Sequence, residues 1–205
     1  NNGGGALTDA VGIAGLFVGD GPIVQVRNGG GDAKVLYSYN KNIAYDGPLV
    51  VLVNRFSASA SEIVAGALQD HKRGIIMGSK SFGKGSVQTI LPLKGDTALK
   101  ITTARYYTPS GRSIQAEGIV PDIKLENVKL EAVEEPAFKP IKEADLTGHL
   151  ENGNGDNKKK EIDTEKDNNS DKDKKEDPSE LINNDYPLYE ALNMLKGLTI
   201  LLEQK

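Results

Sequence analysis

Apolar positions recur along the first 107 residues with two distinct periods. Over residues 6–18, Leu7, Val11, Ala14 and Val18 fall on one face at helical spacing, which predicts a helix. A Gly19-Asp20-Gly21-Pro22 turn follows. Residues 23–27 and 35–39 then read as short strands on either side of the Asn28-Gly29-Gly30-Gly31-Asp32 loop. Residues 49–53 are continuously apolar, the pattern of a central strand covered on both faces. Helical spacing returns over 60–72, with Ile63, Val64, Ala67 and Leu68 on one side. Residues 75–78 read as a short buried strand, and 86–91 and 98–107 as alternating strands. Helices interleaved with short apolar strands predict an α/β fold.

Beyond Leu125 the pattern weakens, and Pro136 and Pro140 interrupt it, so residues 126–150 read as an extension of a core spanning 1–125. The helical signal resumes at the end of the chain. Asp185 is a candidate N-cap, Pro187 lies in the first turn, and Leu188, Leu192, Leu195, Leu198 and Leu202 follow at helical spacing. A helix this short is marginal by itself in water. Residues 181–205 are therefore expected to dock on the core or on another chain, as in a homo-oligomer.

Composition changes this picture in one place. The 205 residues carry 25 Lys+Arg and 29 Asp+Glu, a formal net charge of −4. Residues 151–180 hold 7 Lys and 11 Asp+Glu and account for all of it; the remainder balances at 18 and 18. Ile162 is the only aliphatic side chain in that stretch, which cannot bury enough apolar surface to offset the entropy of ordering. It reads as a disordered charged linker, the alternative being an exposed charged helix. The mildly acidic overall balance does not suggest a nucleic-acid partner. No apolar run reaches the roughly 18–20 residues of a membrane span. The chain opens on Asn1-Asn2-Gly3-Gly4-Gly5 without a leader pattern, so an internal fragment is expected.

Candidate chemistry is narrow. Cysteine is absent, which excludes disulfides, thiol nucleophiles and Cys-based zinc sites, and there are two histidines, His71 and His149. Residues 78–85 resemble a phosphate-binding loop but end in Gly85, with no hydroxyl for magnesium, and lead into a predicted strand rather than a helix. Neither nucleotide nor any cofactor or metal is expected.

Ser59 lies between the apolar 49–53 run and the 60–72 helix, where α/β folds expose side chains to ligands. With Glu62 three residues on, a plain capping box explains the same spacing. A serine needs a base to act as a nucleophile. His71 lies roughly 18 Å along the predicted helix, and His149 borders the charged stretch. A lysine can replace histidine if burial or a neighbouring cation keeps it neutral. Lys84, between Gly83 and Gly85, is the candidate, with Ser86 and Gln88 expected on its face of the strand so that Gln88 can orient the amine. An exposed lysine in a glycine loop is the alternative.

Five segments occur in the order found in one family: Asn1-Asn2-Gly3-Gly4-Gly5, Ser57-Ala58-Ser59-Ala60-Ser61-Glu62-Ile63, Phe82-Gly83-Lys84-Gly85-Ser86-Val87-Gln88, Tyr107-Thr108-Pro109-Ser110-Gly111-Arg112-Ser113-Ile114-Gln115, and Gly118-Ile119-Val120-Pro121-Asp122. Over residues 1 to about 125 the chain thereby resembles the carboxyl-terminal processing (tail-specific) serine peptidases. The resemblance implies a crotonase-like α/β core with Ser59 as nucleophile, Lys84 as general base and Gln88 orienting the lysine. The N–H groups of Ala60 and Gly5 would form the oxyanion hole, and Asp70 would have a structural role. It further implies protein substrates with accessible C-terminal tails, a PDZ domain upstream in the intact protein, terminal helices used in assembly, and a bacterial envelope location, most simply the periplasm. The expected function is a Ser-Lys endopeptidase cleaving near C-termini. A catalytically inactive peptide- or ligand-binding module on the same fold is the alternative.

Overall fold

The computed structural model describes residues 1–126, 128, 146–147 and 178–203. Among them the elements run α1 (Leu7–Val18), β1 (Pro22–Asn28), β2 (Ala33–Tyr37), β3 (Val50–Val53), α2 (Ala60–Asp70), β4 (Ile75–Gly78), β5 (Ser86–Pro92), β6 (Ala98–Tyr107), β7 (Ile123–Lys124), α3 (Pro178–Asn184) and α4 (Tyr186–Glu203). The α/β expectation holds, with two sheets. One is antiparallel in the order β2-β1-β6-β5; the other is parallel in the order β3-β4-β7.

Parallel strands need a crossover between them, and α2 supplies it between β3 and β4. α1 buries the face its spacing predicts, with Val11 and Ala14 fully enclosed, and stops at Gly19, whose φ of 70° suits glycine. α2 is buried nearly all round, through Ile63, Ala65, Gly66, Ala67 and Leu68. These side chains meet Ile23, Val24, Ile76, Tyr106, Ile114 and Ile119 in one core. Each fully buried Ile or Leu contributes about 1.5–3 kcal/mol of transfer free energy.

Three expectations need correction. The 49–53 run is not a strand covered on both faces. β3 is an edge of the three described strands, with Leu52 39% exposed, while β4 is the central one, with Ile76 and Met77 buried. An apolar run reports burial without saying on how many sides. The C-terminal segment is not a single helix from 181. It breaks at Asp185, whose Oδ1 accepts the Leu188 N–H at 3.1 Å as an N-cap does, and the preceding helix starts at Pro178, inside the expected linker. The short strand β7, paired with Met77 and Gly78, was not anticipated.

α4 packs against β3 and β4 and buries Ala191, within one unit formed by Asn1–Val128 and Asp177–Lys205. A second unit, Lys129–Glu176, falls outside the described residues apart from 146 and 147. So do most of the expected core extension and residues 151–177 of the expected linker. Among the described residues no helix is long and apolar enough to cross a membrane.

Candidate active site

Between β3 and α2 the chain turns sharply. Asn54 and Ser57 hold each other: the Ser57 N–H donates to Asn54 O at 2.8 Å, and Ser57 Oγ accepts the Asn54 N–H at 3.1 Å. Ser59 follows with φ 59° and ψ −118°. A non-glycine residue held there costs about 1–3 kcal/mol and persists only where its surroundings enforce it. The neighbours are small: Ala58 and Ala60 are both nearly buried. The Ser59 Oγ approaches the Glu62 N–H as in a capping box yet makes no cap hydrogen bond; that N–H bonds Ser59 O at 2.9 Å.

Glu62 enforces the turn, and does more than cap. Its carboxylate is fully buried and accepts four hydrogen bonds, two on each oxygen. Oε2 takes the Ser59 N–H at 2.7 Å and the Lys84 N–H at 2.8 Å. Oε1 takes the Ser81 hydroxyl at 2.6 Å and the Gly83 N–H at 2.7 Å. Ser81 Oγ in turn accepts the Ile119 N–H at 2.6 Å. A carboxylate removed from water must be satisfied by donors, and here three of the four are backbone N–H groups of the two candidate catalytic loops and the fourth is the Ser81 hydroxyl. The capping-box spacing disclosed one of these bonds. The signal for the others was a glutamate within a helix otherwise buried nearly all round.

The Lys84 loop is braced from its other side by the Ser113–Gly118 region. The Ala116 N–H donates to Gly83 O at 2.9 Å and the Gly85 N–H to Gln115 Oε1 at 3.0 Å, while Gly85 O accepts the Tyr106 N–H at 2.7 Å. A Cβ at Gly85 would lie 2.4 Å from Gln115 N, so the close approach requires glycine. Gln115 and Ser81 are positioning residues that the sequence reading passed over. These contacts also dispose of the phosphate-loop resemblance: the Gly83 and Lys84 N–H groups are bound to Glu62, and the chain continues into β5.

The side chains of the site are less tightly arranged than its backbone. Lys84 precedes β5 rather than lying on it, and its side chain is exposed, so the burial expected for the amine is not seen. Among the described residues it makes no hydrogen bond with Ser59 or Gln88. The β5–β6 register shifts between Val87 and Gln88, which face Ala104 and Thr102, so the extra residue, Thr103, is on β6. β5 keeps its alternation, and Ser86 and Gln88 share a face as expected.

The opening glycines sit against Ser59. Asn2 O accepts the Ala58 N–H at 2.9 Å and the Ser61 hydroxyl at 2.8 Å, anchoring the segment to the serine turn. Gly4, at φ 98°, packs so closely that a Cβ would lie 2.6 Å from Ala58 O and 2.9 Å from both Ala60 N and Ser59 Cβ. Its N–H donates to Asn2 Oδ1 at 2.9 Å. The N–H groups of Gly5 and Ala60 donate to no acceptor among the described residues, which leaves two free backbone donors beside Ser59. A cavity of about 220 Å³ opens next to them, lined by Gly5, Ala6, Ala10, Ile13, Ala60 and Val64 among others.

The remaining candidates lie elsewhere. His71 caps α2, and its Nε2 is 2.7 Å from Pro22 O. His149 lies outside the described residues. Asp70, at the far end of α2, accepts the Ser110 N–H at 2.8 Å and pairs with Arg112, tying the Tyr107–Arg112 turn to the helix. Burial pushes its carboxyl up, but hydrogen bonds from Thr108, Ser110 and Arg112 outweigh that and lower its pKa below the usual 3.8. Among the described residues no cluster of His, Asp and Glu is placed to hold a metal ion.

Comparison with known proteins identifies the family. A carboxy-terminal-processing protease of Bartonella bacilliformis is 42% identical over 204 residues, covering 96% of this chain and 42% of that protein. The chloroplastic C-terminal processing peptidase of Tetradesmus obliquus is 43% identical over 126 residues, 62% of this chain and 27% of that one. Among solved structures, a photosystem II D1 C-terminal processing protease superposes with a TM-score of 0.58 at 42% identity, over 61% of this chain and 32% of its own. The chain thus spans less than half the length of these relatives. Residues 1–125 match the model of Peptidase family S41, and the chain belongs to that family.

Proposed function

We propose that this chain carries the catalytic core of a serine endopeptidase of the Ser-Lys type, acting on polypeptides near their C-termini. The observation that carries the reading is the convergence of the Ser59 and Lys84 N–H groups on one oxygen of Glu62, beside two free donors. Ser59 Oγ attacks the scissile carbonyl carbon while Lys84 Nζ takes the hydroxyl proton. The carbonyl oxygen gains the negative charge and is received by the Gly5 and Ala60 N–H groups; losing one such donor typically costs about 3 kcal/mol. The tetrahedral species collapses, the C–N bond breaks, and the leaving amine takes the proton back from Lys84. Water then hydrolyses the acyl-serine, with Lys84 again accepting the proton.

Gln88 orients the lysine amine, and a peptide lying across Ser59 covers the exposed Lys84 side chain. The 220 Å³ cavity receives a side chain flanking the scissile bond; its walls of Ala6, Ala10, Ile13 and Val64 suit a small apolar one. The family resemblance supports an upstream PDZ domain that gathers substrate tails, further assembly through residues 181–205, and a periplasmic setting in the intact protein.

Cleavage of an unfolded protein by the intact enzyme and by Ser59→Ala and Lys84→Ala variants tests the reading. Both substitutions should abolish turnover. The exposed, unbonded Lys84 side chain favours a second reading, an inactive peptide-binding module, which predicts peptide binding without turnover in any variant.

A further inference from the structure

On the antiparallel sheet, Arg27 of β1 stands directly opposite Arg105 of β6. Their shared face is the outer one, since Val26 and Tyr106, the next residues along, pack into the core. Like charges directly opposed across two strands are unfavourable, and no acidic side chain among the described residues pairs with either. The ion pairs among the described residues are Arg112–Asp70 and Lys124–Glu126. Asp32, in the loop after β1, accepts from Asn28 Nδ2 at 3.1 Å instead.

Arg27 is nevertheless held in place. Its guanidinium lies 4.2 Å from the Tyr107 ring centroid, and its Nε and Nη2 donate to Gln25 Oε1 at 3.2 and 2.6 Å. Gln25 Nε2 donates onward to Pro109 O at 2.8 Å. Arg105 is exposed and makes no hydrogen bond or ion pair among the described residues. Together the arginines line a cavity of about 250 Å³ with Asn28, Thr102, Thr103 and Tyr107. An oriented guanidinium beside a second one that has no partner among the described residues, set in a concave wall, forms a receptor for a carboxylate, which Arg105 can grip with paired N–H groups.

The strand register carries the cavity towards the Lys84 loop. In the same register row Arg105 faces Ser86 on its other side, and Ser86 is two residues from Lys84. With strands about 4.8 Å apart and a rise of about 3.3 Å per residue, the arginine backbones lie roughly 8–12 Å from that of Lys84. An extended peptide crosses that distance in roughly three or four residues.

We propose that the Arg27–Arg105 cavity is an anion subsite for the substrate polypeptide, taking a peptide carboxylate roughly three or four residues from the scissile bond. The carboxylate is either the free C-terminus or an acidic side chain at that place. The inference rests on the peptidase reading, so its test separates the two. Three fluorescent peptides of one length are compared: one with a free terminal carboxylate and neutral side chains, one C-terminally amidated with a glutamate at the last position, and one amidated with glutamine there.

Binding is measured to the Ser59→Ala form of the intact chain, alone and combined with Arg105→Gln, with Arg27→Gln or with both. At least one carboxylate peptide should bind about tenfold tighter than the neutral amide, the stronger identifying the source of the carboxylate. Arg105→Gln should reduce that preference to under twofold without lowering the melting temperature, and in the active enzyme should raise KM for that peptide with kcat unchanged. Equal binding of all three peptides, or a preference that survives the double substitution, overturns the subsite. Hydrolysis of the neutral amide with no carboxylate preference overturns the subsite and leaves the peptidase reading standing. Carboxylate-selective binding that needs both arginines, without hydrolysis, supports the subsite and removes the peptidase reading.

Discussion

Ser59 and Lys84 are coupled through their backbones: both N–H groups end on Glu62 Oε2, at 2.7 and 2.8 Å. The serine turn and the lysine loop are separated by more than twenty residues, so their mutual placement cannot come from local geometry. One buried carboxylate fixes both, and it holds Gly83 and Ser81 with its other oxygen.

Glu62→Gln therefore replaces one acceptor oxygen with an NH₂ group facing donors. Stability should fall by about 1–3 kcal/mol for each donor left unsatisfied. Because displacement of reacting groups by about 1 Å costs on the order of 10²-fold in rate, kcat should drop by that order while KM changes little. Melting curves and steady-state kinetics on one peptide check both, and the kcat effect distinguishes positioning from general destabilisation.

Gly4→Ala tests the donor arrangement. The added Cβ would meet Ala58 O, Ala60 N and Ser59 Cβ at under 3 Å, at a φ that disfavours any side chain. The opening segment must move and carry Gly5 with it. A loss of about 10²–10³-fold in kcat is expected, with little change in melting temperature because the segment is exposed.

Asp70→Asn should affect stability rather than chemistry, since it lies eleven residues along α2 from Ser59, roughly 16 Å at 1.5 Å per residue. The expected cost is about 1–3 kcal/mol at neutral pH. The folded-state pKa is lowered, so the contribution of the carboxylate is complete above its unfolded value of 3.8 and disappears as pH falls through the folded value. The stability difference between wild type and variant should be constant near neutrality and shrink below about pH 4, as read from denaturation at several pH values.

Ala191→Arg addresses the docking of α4. Ala191 is the buried residue of that helix, where it packs near β3 and β4. A long charged side chain there should release α4, seen as rapid hydrogen exchange of its amides, while those of α2 and β4 stay protected.

Local patterns predicted most of the elements because each amphipathic face is written at its own period; α1 and α2 bury the side chains their spacing named. β3 misled because Leu52 belongs to an apolar run without being enclosed. The break at Asp185 was half visible, as a cap without the helix before it. At the site, residue types pointed to Ser59 and Lys84 and the family resemblance to Gly5 and Ala60, but the interactions that place them are long-range. Glu62 reaching Gly83 and Lys84, Gln115 holding Gly85, and Ser81 joining Glu62 to Ile119 have no short-range spacing to betray them.

The central claim is that Ser59 becomes acylated with Lys84 as its base. Intact-protein and peptide mass spectrometry after brief exposure to an activated ester of a short peptide measures this directly. The account predicts one acyl group on the tryptic peptide containing Ser59, and loss of at least 10²-fold in its rate of formation in Lys84→Ala. Acylation elsewhere, or an undiminished rate in Lys84→Ala, would contradict it.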